Sequence, residues 1–121
     1  MEDLKQQKLE ALAMVSEYMD KVIPAMEEVC AELVGEMKDD TVDYLNQIID
    51  AFNFVIETFN ATRDLVNANQ ELILEDALDK EVNDLSAAMK AKDYPKVGMI
   101  MQGAVLDFVK VFNLKAKELT A

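Results

Sequence analysis

Residues 12–33 read LAMVSEYMDKVIPAMEEVCAEL. Apolar side chains recur there at alternating three- and four-residue steps, at Leu12, Val15, Met19, Val22, Met26, Val29 and Leu33, and the series continues to Met37. Residues three and four apart share one face of a helix, so this heptad seam predicts one long helix with a buried stripe. Glu10, Glu17, Asp20, Glu28 and Glu32 fall outside the seam, as an exposed face requires. Continued upstream, the seam would carry Lys8 and Lys5, so residues 1–9 are expected to fray, overhang or pack on another molecule. Pro24 lacks an N–H and its ring crowds the carbonyl of Asp20, yet the seam keeps phase through it. A kink in one helix over 4–37 is the expectation, because Ile23 is a poor cap for a new one.

Three further helices follow from the same periodicity. Lys38-Asp39-Asp40 reads as a tight turn, with Asp40 expected to cap a second helix over 41–66. That helix carries Leu45, Ile48, Ile49, Phe52, Val55, Ile56, Phe59 and Val66, a broad apolar stripe that predicts a central position. Asn67-Ala68-Asn69-Gln70 is loop-like. A third helix is expected over 71–91, with Leu74, Leu78, Val82, Leu85 and Met89 inward. Asp93 can cap a fourth over 94–118, where Pro95 is tolerated in the first turn and Val97, Met101, Ala104, Phe108, Val111 and Phe112 face inward. Short connections between four amphipathic helices predict an all-α fold, a four-helix antiparallel up-down-up-down bundle spanning residues 1–121 as one domain. Shifted by 53 positions, Asp40, Ala51, Phe59 and Asn60 fall on Asp93, Ala104, Phe112 and Asn113, a faint repeat of two helical hairpins that helical periodicity largely explains.

Composition narrows the function. The lone Cys30 cannot form an internal disulfide and suits a reducing compartment, so a cytoplasmic location is expected. The opening residues show no basic segment leading into an apolar one, and no uninterrupted apolar stretch approaches the ~18 residues of a membrane span, so no membrane partner is expected. A net charge of −12 argues against nucleic acid as a partner, because phosphate contacts need clustered Lys and Arg. The charge is uneven: residues 1–66 hold 15 acids and 5 bases, whereas from Lys90 onward there are 6 bases and 3 acids. Such polarity can draw a chain's own helices together or present an acidic face to a basic partner.

Catalytic chemistry is sparse. The chain has no histidine, which removes the commonest general base and the Glu-x-x-His pairs of di-metal bundles. Cys30 has Glu27, Glu28 and Glu32 nearby in sequence, which disfavours a thiolate. Ser16 and Ser86 have no evident base, and no glycine-rich phosphate loop is present. Glu36, Asp39, Asp40 and Asp43 could attract a hard cation, but the spacing is not that of an EF-hand loop, and capping with solvation accounts for them. No cofactor, no metal and no enzymatic activity are therefore expected.

One segment stands apart. Val97-Gly98-Met99-Ile100-Met101-Gln102-Gly103-Ala104-Val105-Leu106 carries no charge, and a helix apolar all round must be covered all round. Either the long first helix or a loop covers it, or Val97, Met99, Met101, Gln102 and Leu106 form a partner-binding face for another protein or a second copy. Gly98 and Gly103 are costly in a helix and are expected to allow close backbone approach.

The acidic first hairpin, the Lys38-Asp39-Asp40 turn and the second hairpin with Lys92-Asp93-Tyr94 resemble uncharacterised small acidic bacterial helical-bundle proteins. Size and acidity are also similar to those of the export chaperones of flagellar and type III secretion systems. The first resemblance implies a helical bundle, and the likeness to export chaperones a helical protein that binds other proteins. The expected function is a non-enzymatic interaction module, adaptor or chaperone-like, that binds a partner segment or itself. The alternatives are an acidic decoy for a basic nucleic-acid-binding surface and a homodimeric structural protein.

Overall fold

A computed structural model describes residues 2–67 and 75–121. They are all-α, in four helices with no strand among the described residues: α1 (Glu2–Val34), α2 (Thr41–Val66), α3 (Glu75–Lys90) and α4 (Tyr94–Thr120). Within α4, an α-helical Tyr94–Ile100 passes through a π-helical stretch, Met101–Val105, into an α-helical Leu106–Thr120.

The seam on α1 is the spine of the core. Leu12, Val15, Met19, Met26 and Val29 are fully buried, with Val22 and Leu33 nearly so. The helix ends at Val34, three residues before the expected limit, and Met37 is exposed beyond it. Its start is held better than the sequence suggests, because Lys8 pairs with Asp64 at 2.9 Å and Leu9 packs against the core. Pro24 lies inside the helix on an exposed side, where water can reach the Asp20 carbonyl that loses its donor.

α1, rather than α2, makes the widest contacts, reaching α2 and every part of α4. Pairs across α1 and α2 run in opposite chain order: Lys8 with Asp64, Tyr18 with Phe54, Glu28 with Tyr44 and Glu32 with Thr41. α2 meets α4 through rings, Phe59 lying edge-on to Phe108 and Phe112 at centroid distances of 5.3 and 5.5 Å. α3 packs on the first half of α4 and its π stretch. The loop-like residues 68–70, the expected start of the third helix at 71 and its inward Leu74 lie outside the described residues, while Leu78 and Leu85 are buried and Val82 and Met89 are half-buried against the core.

The turns are fastened differently from expectation at one end. Asp40 occupies the capping position of α2 but its side chain makes no capping hydrogen bond. Thr41 does the fastening instead: its buried hydroxyl accepts from the Lys38 N–H and donates to Glu32 Oε1, both at 2.7 Å. At α4 the Asp93 carboxylate accepts from the Lys96 N–H, as a cap should. Between α3 and α4, Lys92 adopts a left-handed φ of 56°, and the N–H groups of Lys92 and Asp93 bond back to the carbonyls of Met89 and Ala88.

Candidate interaction surface

The uncharged segment 97–106 divides between core and surface. Val97 and Met101 are fully buried and Leu106 is 5% exposed, so these three side chains are spent on the interior of the fold and offer little to a partner. Met99, at 68% exposed, and Gln102 face outward. Gly98 gives the close approach its position suggests: a Cβ there would lie 2.8 Å from Leu33 Cβ and 2.9 Å from Val34 Cγ1. Gly103 does not, because a Cβ there would meet nothing within 4 Å.

The π stretch explains which face of α4 turns inward. A wider turn advances the inward position by four residues at a time, giving Val97, Met101, Val105 and Val109 before the spacing tightens to Phe112 and Ala116. Ala104 is therefore only half-buried while Val105 is buried, and Val111, expected inside, is 39% exposed. α4 is also long and apolar enough to cross a membrane by length and composition, with a mean hydropathy of 1.4 over the relevant window. Half of that window is buried against the other helices, which is what the core helix of a globular fold requires.

A shallow groove of about 490 Å³ runs between α1 and α4 beside the π stretch. Ala31, Val34 and Leu106 line its apolar floor, and Glu27, Gln102 and Lys110 its polar margin. Further along the same helix pair the packing turns polar. Ser16 and Asn113 are buried and hydrogen-bonded at 2.7 Å, Asn113 Nδ2 donates to Asp20 Oδ1 at 2.9 Å, and Lys117 Nζ reaches Asp20 Oδ2 at 2.8 Å. The Lys117 contact, seconded by Asn113, holds the Asp20 carboxyl below its ordinary 3.8. Lys8 does the same for Asp64. Burial, with help from the Glu27 charge, pushes the Cys30 thiol up to about 11, so little thiolate is present at neutral pH. Ser16 is bonded to an amide oxygen, which is no general base. Among the described residues no three His, Cys, Asp or Glu side chains gather as a metal site would need.

A family model described as "Domain of unknown function (DUF8042)" matches residues 10–115. The chain belongs to that family. The DUF8042 match takes in the seam of α1, the whole of α2 and the π stretch of α4, and so covers both margins of the groove. It agrees with the resemblance to uncharacterised helical proteins and lends nothing to the likeness to export chaperones. No curated protein and no solved structure matches the chain.

Large apolar residues also stand outside the seam, where the heptad pattern does not point. Met14, Tyr18 and Phe54 are exposed, and the rings of Tyr18 and Phe54 touch across α1 and α2. The available signal was that Met14 and Tyr18 stand four apart on the face otherwise given to charges, and that Phe54 stands two residues from the inward Phe52.

Proposed function

We propose that this DUF8042 protein is a non-enzymatic, cytoplasmic interaction module, adaptor or chaperone-like, that receives an apolar segment of a partner protein in the groove between α1 and α4. The reading treats the four helices as an up-down-up-down bundle with α1 bent at Pro24, and the opposite chain order of the α1–α2 contacts supports the antiparallel pairing of its first two helices. The groove itself carries the proposal: the apolar side chains of Ala31 and Val34 stay open to solvent beside the buried Leu106, within reach of hydrogen-bonding groups on Gln102 and Lys110. The π stretch at its edge adds weight, because such turns are frequent at functional sites. Met99, one turn before Gln102 and outside the groove's lining, adds an exposed, flexible and polarisable apolar side chain to the same helix.

A Val34→Glu, Gln102→Glu double variant tests it, since both positions are exposed and the fold should survive. The expected result is loss of a partner that copurifies with the wild-type chain, or loss of a dimer seen by light scattering if a second copy fills the groove. Unchanged mass together with unchanged copurification removes the groove from consideration. The acidic-decoy reading draws on the charge of residues 1–66 and requires binding to a basic surface that weakens steeply as salt rises.

A further inference from the structure

α1 and α2 carry a second apolar face that the fold leaves uncovered. The rings of Tyr18 and Phe54 meet edge-on with centroids 5.3 Å apart, yet the two residues are 40% and 43% exposed, and Met14, one turn before Tyr18, is 67% exposed. At about 100° of rotation per residue, Met14 and Tyr18 stand on the opposite side of α1 from Glu27, Ala31 and Val34. The face is therefore separate from the α1–α4 groove and does not depend on it.

The surroundings select the occupant. Glu10 and Glu17 lie one turn either side of Met14, and Asp50 and Glu57 one turn either side of Phe54. Glu17, Asp50 and Glu57 make no ion pair with a described residue, and Lys21 is the one cation within a turn of the three apolar side chains. A second copy would bring the same carboxylates face to face, and an anionic lipid surface or nucleic acid would be repelled by them. An apolar stripe flanked by Lys or Arg satisfies both the rings and the carboxylates, and two aromatic rings with a methionine are the kind of surface that anchors such a stripe. We propose that the Met14, Tyr18 and Phe54 face docks a basic amphipathic helix of another protein.

The test is fluorescence anisotropy with the full chain and a labelled amphipathic leucine–lysine peptide, against a scrambled peptide of identical composition. The amphipathic peptide should bind, and a Tyr18→Ser, Phe54→Ser variant should bind it at least about tenfold more weakly with an unchanged helical circular-dichroism spectrum. A Glu17→Gln, Asp50→Asn, Glu57→Gln variant should flatten the salt dependence. A Val34→Glu variant should bind normally, so that failure of the groove and failure of this face are read separately. Equal affinity for the scrambled peptide would reduce the contact to charge alone and overturn the proposal. So would an unchanged affinity in the Tyr18→Ser, Phe54→Ser variant, or a wild-type dimer that this variant dissolves.

Discussion

Ser16 on α1 and Asn113 on α4, 97 residues apart, share a buried 2.7 Å hydrogen bond. Asn113 also donates to Asp20, which accepts in turn from Lys117, so a chain of four polar groups leads from the interior to the surface. Around them the α1–α4 contact is apolar, and apolar surfaces tolerate sliding. Moving either helix by one turn would leave the Ser16 hydroxyl and the Asn113 amide buried without partners, which costs more than any apolar contact would return. The network thus fixes the register that places Gln102 and Lys110 opposite Glu27 and Val34 in the groove.

Replacing Asn113 by Ala should lower stability by about 1–3 kcal/mol, because it leaves Ser16 and Asp20 without that partner as well as removing a side chain. Adding Ser16→Ala to an Asn113→Leu change should cost less than Asn113→Ala, since no buried polar group is then orphaned. Urea denaturation of wild type and these two variants distinguishes the outcomes; a double variant that loses as much as Asn113→Ala would show that the hydrogen bond is incidental.

The acid limb of stability should bear the mark of Asp20. Its folded-state carboxyl is lowered by Lys117 and then by Asn113, so its contribution is fully present above the ordinary 3.8 and disappears as pH falls through the lowered folded value. Asp64 follows the same sign through Lys8. A Lys117→Met variant should therefore lose less stability than wild type on acidification across that range, measured by thermal melts at stepped pH. Parallel curves for the two proteins would deny Lys117 the role.

The two glycines of the uncharged segment should respond in opposite directions. Gly98→Ala drives a methyl into Leu33 and Val34 and should destabilise by about 1–3 kcal/mol. Gly103→Ala meets open space and should stabilise by about 0.5–1 kcal/mol through the helix preference of alanine. Chemical denaturation of each reads the sign directly.

Much of the fold was legible because its period was regular. Leu12, Val15, Met19 and Val29 form an undisturbed seam, and each is fully buried. Two departures have local causes. Thr41 displaced Asp40 as the fastening group because Glu32, nine residues back, offers an acceptor that only tertiary packing supplies. Val105 replaced Ala104 inside because a π turn has no distinct signature in the pattern of apolar residues. The surface was harder to read for a physical reason. Absence of charge over residues 97–106 identified a segment covered on several sides, but could not say that α1 and α3 do most of the covering, nor that the exposed rings would lie elsewhere.

The π stretch makes α4 a rod with one residue in excess of a plain α-helix over that turn. Shortening the chain by a single residue within 101–105 would remove that excess, restore uniform winding and leave everything downstream facing almost as before. Phe112 and Asn113 would keep their ring and amide neighbours, as Val97 and Gly98 would keep theirs. Deletion at this one bulge should thus be far less damaging than loss of one residue between it and Phe112, where nothing absorbs a turn of about 100°, and the excess residue is slack that the two halves of one helix share.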